Sequence, residues 1–247
     1  MRNFKILLQY DGTRYQGWQR QVSTDNTIQG KLEALLSKMC DAPVEIQGAG
    51  RTDAGVHALG QAASFHMDTD KAPEEIMAYM NAYLPEDISV ISCEEKPERF
   101  HARLNAKGKV YRYCIWNSAR KPVFRRKYVH QVPGELDMDA MNEAAAFLIG
   151  THDYQSFTSA KRGRKSTVRT VDSIEIERFG EEVLFTFKGN GFLYHMVRIM
   201  MGTLIETGLG IRKAEDIPGI LEAKDRSKSG HLIPGKGLTL MEVTYDN

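Results

Sequence analysis

Apolar residues in this chain alternate between strand spacing and helix spacing in one order, and that order occurs twice. FKILLQY (4–10) reads as a strand, and TIQGKLEALLSKM (27–39) places Ile28, Leu32, Leu35, Leu36 and Met39 on one helical face. VEIQGAG (44–50) and QAASFHM (61–67) are strand-like around a glycine-rich loop. PEEIMAYMNAYL (73–84) starts with a proline suited to a first helical turn, and ISVISCEE (88–95) alternates like a half-buried strand. The resulting β-α-β-β-α-β order is the split unit of ferredoxin-like folds.

The second half repeats the pattern. KVYRYCIW (109–116) is a strand with aromatic residues at alternate positions. MDAMNEAAAFLIG (138–150) is helical, with Asp137 as N-cap and Gly150 as C-terminal stop. TVDSIEIER (170–178) and EVLFTFK (182–188) form a hairpin, and FLYHMVRIMMGTLIETG (192–208) is a strongly apolar helix. A shorter helix near 214–223 and a closing strand, LTLMEVTY (238–245), complete the copy. The expected fold is therefore α+β. It has two pseudo-symmetric ferredoxin- or RRM-like halves, 1–104 and 105–247, with mainly antiparallel sheets side by side and a central cleft holding the site.

Composition narrows the function classes. The 33 basic and 32 acidic side chains nearly cancel, so a nucleic-acid surface would have to come from local clusters. No apolar stretch is long enough to span a bilayer, and MRNFKILLQYDG lacks a signal peptide's apolar run. Cys40, Cys93 and Cys114 are odd in number and lack a CxxC spacing, so we expect neither disulfides nor zinc, and a cytoplasmic location. The histidines form no HExxH pattern, and there is no GxSxG elbow. GHLIPGKG (230–237) lacks the hydroxyl residue and following helix of a P-loop.

Two features carry chemistry. GAGRTDAGVHALG (48–60) sets Asp53 beside Arg51 and His57 in a loop too long for a tight hairpin. A lone aspartate among glycines most often caps backbone amides in an Asx turn, but the cation and the permissive backbone favour a ligand site. In the apolar helix, Arg198 has no polar face to occupy. It either extends past its neighbours to solvent or meets an anion, such as a ligand phosphate or Asp53, which it would keep ionised.

YDGTRYQGWQRQ (10–21), GAGRTDAGVHALGQ (48–61), FHAR (100–103), KVYRY (109–113), HDYQSF (152–157) and GNGFLYHMVRIMMGTL (189–204) together resemble the TruA family of tRNA pseudouridine synthases. The resemblance runs from near the first residue to the closing strand. It implies isomerisation of uridine to pseudouridine at positions 38, 39 and 40 of the tRNA anticodon stem-loop, without metal or cofactor, by a homodimer. Carried onto this chain, it makes Asp53 the nucleophile and Arg51 the residue that displaces and holds the target nucleotide. Tyr111 becomes the base-stacking tyrosine and Arg198 the partner of the aspartate. The family's Ala-Pro-x-x-Gly-Leu run appears here as IPGKGL (233–238).

A uridine within a stem must swing out to reach a carboxylate, at a cost of a few kcal/mol. Phosphate contacts would offset that cost. SARKPVFRRK (118–127), with Arg125 and Arg126, and KRGRK (161–165), with Lys161, Arg162, Arg164 and Lys165, are the local basic clusters. Arg14 and Trp18 lie in a glycine-flanked stretch where an aromatic ring suits stacking on RNA, unless Trp18 only covers the first strand. The competing reading from another class is an RNA-binding protein without catalysis.

Overall fold

In a computed structural model, residues 1–161, 163 and 166–246 are described. The first elements are β1 (Arg2–Tyr10), α1 (Ile28–Cys40), β2 (Ile46–Gly48), β3 (His57–Met67), α2 (Pro73–Tyr83) and β4 (Ile88–Lys96). Then follow β5 (Ala106–Trp116), β6 (His130–Gln131), α3 (Met138–Phe147), β7 (Gly150–Asp153), β8 (Val168–Phe179) and β9 (Glu182–Gly189). The chain continues with α4 (Met196–Gly208), α5 (Asp216–Ala223) and β10 (Leu238–Tyr245). It is a mixed α/β protein with mainly antiparallel strand pairing. Two compact units are present, one formed by Met1–Lys107 with the closing residues from Thr239, the other by Gly108–Leu238.

In the first unit, β4 pairs with β1 and β1 with β3, both antiparallel. β2 pairs antiparallel with the later half of β3, Ile46 opposite Phe65, while β10 pairs in parallel with its start, Thr239 opposite His57. Phe4, Ile6 and Leu8 of β1 are fully buried, as the two-residue period requires. Ile28, Leu32 and Leu36 of α1 and Ile76 and Met80 of α2 are fully buried as well. The Thr27 side chain caps α1 by accepting the Gly30 N–H at 3.2 Å. At the start of α2 the Glu75 carboxylate accepts the Ala72 N–H at 2.7 Å.

The second unit orders its strands β5-β9-β8-β7, each neighbouring pair antiparallel, with β6 beside β5. Asp137 caps α3 by accepting the Ala140 N–H at 2.9 Å. Helix α4 is buried nearly all round, in keeping with its missing polar face. The hydroxyls of Thr203 and Thr207 donate to the carbonyls of Ile199 and Thr203 at 3.0 and 3.1 Å, which lets them sit in that interior.

Several details depart from the expected elements. β3 begins at His57 rather than 61, so the end of the glycine-rich stretch is strand. The closing strand, expected to complete the second copy, pairs with β3 and belongs, from Thr239, to the first unit. The apolar helix begins at Met196 rather than 192, because His195 takes a left-handed conformation, φ 65°, that ends helical hydrogen bonding on its N-terminal side. Gly150, with φ 116°, stands beyond the end of α3 and opens β7. β6 and β7 are too short to leave a readable period.

Candidate active site

The loop that carries Asp53 is held at several points, all within the first unit. Gln61 Nε2 donates to the Gly50 carbonyl at 2.9 Å. Thr52 is buried, its hydroxyl 2.8 Å from that of Tyr10 and its carbonyl accepting the Trp18 N–H at 2.9 Å. Burial pushes the Tyr10 hydroxyl up to about 12, so this contact keeps its proton at neutral pH. Asp53 opens a four-residue turn closed by the Val56 N–H on its carbonyl at 3.1 Å. Gly55 takes φ 74° at the third place, where a type II turn needs a positive value. Asp53 is half-buried and Arg51 exposed, so the turn displays both on a clamped backbone.

The YDGTRYQGW stretch forms the brace under this turn. Gly17, at φ 91°, lies so close that a Cβ there would meet the Thr52 carbonyl oxygen at 2.6 Å. The buried ring of His57 accepts the Gly12 N–H on Nδ1 at 3.1 Å, so it supports the backbone behind the turn. Trp18 is 2% exposed, packed where a Cβ at Gly48 would strike its ring at 2.5 Å. This corrects the expected RNA contact, because an indole covered on its faces has none left for a base. Arg14 is exposed, with its guanidinium on Asp87 Oδ2 at 2.7 and 3.0 Å. Asp87 also accepts the Tyr15 hydroxyl at 2.5 Å. No sequence signal singled out Asp87, whose partners lie far away along the chain.

In the second unit, Tyr111 is buried, only 7% exposed, lies opposite Phe187 on β9 and meets Phe192 edge-to-face, ring centres 5.4 Å apart. Arg198 is half-buried near the start of α4, and its Nε donates to the Ile233 carbonyl at 2.8 Å. The next carbonyl, on Pro234, accepts the Tyr113 hydroxyl at 2.8 Å. Burial drives the Tyr113 hydroxyl far up, against a weaker opposite pull from Arg198. The IPGKGL segment is thus a strap gripped by two side chains through main-chain oxygens. Ile233 takes part through its carbonyl, so its side chain does not enter this contact.

Tyr113 escaped sequence reasoning because it resembles any alternating core aromatic. Removing its hydroxyl in Tyr113→Phe should cost about 1 kcal/mol of stability, read from the urea midpoint. An unchanged midpoint would show that the strap does not need this bond.

The basic clusters are surface features. Arg125 holds Glu182 at 2.8 Å, Arg126 donates to the Val123 carbonyl at 2.7 Å, and Lys161 is exposed. Arg162, Arg164 and Lys165 lie outside the described residues. Among the described residues no group of three or more His, Cys, Asp or Glu side chains is arranged to hold a metal ion, and no helix is long and apolar enough to cross a membrane.

Comparison with known proteins bears on what this arrangement does. A family model described as tRNA pseudouridine synthase matches residues 6–105 and 144–246. A protein of Bacillus cereus (strain ZK / E33L) named tRNA pseudouridine synthase A 2 is 47% identical over 245 residues, covering 99% of this chain and 100% of its own length. Proteins named tRNA pseudouridine synthase A from Bacillus sp. (strain KSM-64) and Brevibacillus brevis are 47% and 44% identical, each covering 99% of this chain and 100% of its own length. A solved chain of a Cbf5-Nop10-Gar1 complex aligns with a TM-score of 0.41 at 13% identity, covering 96% of this chain and 48% of that one, which is too low to assign a fold.

Proposed function

The chain belongs to the tRNA pseudouridine synthase family and isomerises uridine to pseudouridine in tRNA, and from that premise we propose that Asp53 is its nucleophile. The observation that carries the proposal is the clamped type II turn, which presents a half-buried carboxylate with Arg51 two residues away. The reaction breaks the bond from uracil nitrogen to the ribose and remakes it through carbon-5. The proton lost from carbon-5 is balanced by one gained at nitrogen, so no oxidant or reductant enters. A carboxylate suits it by adding covalently and then leaving, which splits one difficult step into two.

The remaining roles follow the same reading. Arg51, exposed beside the turn, holds the displaced nucleotide. Tyr111, though buried, is proposed to stack on the base, a contact worth ~1–3 kcal/mol. Arg198 is proposed as the aspartate's cationic partner. Arg14, Arg125, Arg126 and Lys161 are proposed to meet phosphates.

The units are read as two ferredoxin-like halves. The β4-β1-β3 order with β2 beside β3 supports this for the first. The substrate region is the anticodon stem-loop, and the working form is a cytoplasmic homodimer. Incubating the purified protein with an unmodified tRNA pool and mapping pseudouridine tests the reading. New pseudouridines should fall in the anticodon stem-loop, and their appearance elsewhere would refute that placement.

A further inference from the structure

An exposed aromatic ring in the second unit plays no part in the site described above. Phe124 is 93% exposed, at the apex of the turn between β5 and β6, with Val123 beside it also exposed. The loop is not loosely held. Trp116 Nε1 donates to the Arg120 carbonyl at 2.8 Å, and Gln131 Nε2 donates to the Ser118 carbonyl at 3.0 Å. Arg120 and Arg125 pair with Glu181 and Glu182 at 2.6 and 2.8 Å, tying the loop to the β8–β9 turn. Main-chain bonds from Arg125 N–H to Pro122 and from Tyr128 N–H to Arg125, at 3.0 and 2.8 Å, shape the apex. Pro122 and Val129 are buried at its two ends.

A rigid mount that points a phenyl ring into water lowers the ordering cost of binding with that ring. Lys121 and Arg126 flank it as exposed cations, which favours a polyanion over a second copy of this equally cationic loop. Flat apolar rings set among cations are the means by which proteins hold unpaired nucleotides. The loop also lies in the 106–143 interval, outside both stretches matched by the family model.

We propose that this loop is a further tRNA-binding element, in which Phe124 stacks on an unpaired base and Arg126 meets the adjacent phosphate. The inference rests on tRNA being the substrate. A wild-type protein that forms no pseudouridine in tRNA would remove that premise, whereas variants at 124 test only the added contact.

The test uses the full chain, an unmodified tRNA transcript, equilibrium binding and single-turnover pseudouridine formation. Phe124→Ala should bind about tenfold more weakly, ~1.4 kcal/mol, yet react within twofold of the wild-type rate at saturating tRNA. Phe124→Trp should restore affinity, while Phe124→Leu, which keeps apolar bulk without a flat face, should not. The salt dependence should keep its slope in Phe124→Ala and lose about one unit in Arg126→Ala. Wild-type affinity in Phe124→Ala or in Phe124→Leu would overturn the proposal. So would weaker self-association in sedimentation with tRNA affinity unchanged, which would assign the ring to contact between copies.

Discussion

Asp53→Asn should abolish pseudouridine formation, lowering the rate at saturating tRNA by ~10³-fold or more, while tRNA affinity stays within a few-fold. Asparagine has nearly the same shape, and the turn that carries position 53 is closed by main-chain atoms, the Val56 N–H on the residue-53 carbonyl. The neighbouring clamps at Gly50 and Thr52 do not involve the carboxylate either. The substitution therefore removes the anion and keeps these main-chain clamps. Single-turnover kinetics on a tRNA transcript, paired with a binding measurement, separate the two effects. A variant that converts uridine at the wild-type rate would remove Asp53 from the chemistry.

The second large effect is expected at Gly202, in the middle of α4. A Cβ there would stand 1.9 Å from the carbonyl oxygen of His231 and 2.9 Å from its carbon. Both are backbone atoms of the segment leading into the strap, so no side-chain rotation relieves the overlap. Alanine is the better helix former by about 1 kcal/mol, yet overpacking in a close-packed interior costs more. We expect Gly202→Ala to lose roughly 3 kcal/mol net, a fall of about 6–12 °C in Tm. Activity should fall too, because the Ile233 carbonyl that receives Arg198 lies on the displaced segment. A Tm equal to or above wild type would mean that helix propensity outweighs the contact and that the strap does not press on α4.

Much of the architecture was legible because it depends on near neighbours. The first strand, both helices of the first unit and the β8–β9 hairpin match their predicted spacing, and Asp137 caps its helix as expected. The start of α4 was misplaced for the converse reason. Phe192 to His195 continue the apolar pattern, and nothing in their side chains announces the left-handed backbone at His195.

The Trp18 stretch illustrates the same limit. The glycine-flanked stretch suited either an RNA contact or a cover for the first strand, and Gly48, next to the ring, makes room for its burial. Composition was equally blind to the grip on Arg198, since any residue at 233 brings the same carbonyl.

The order of side chains by itself determined the periods, the caps and the Arg51–Asp53 motif, because each is set within a few positions of the chain. Only the tertiary structure decided that β10 runs parallel beside β3, that Trp18 is core, and that two strap carbonyls hold Arg198 and Tyr113. Those choices are made by main-chain donors and acceptors and by vacant space beside glycines, which are nearly the same in every residue and become distinct only once distant segments meet.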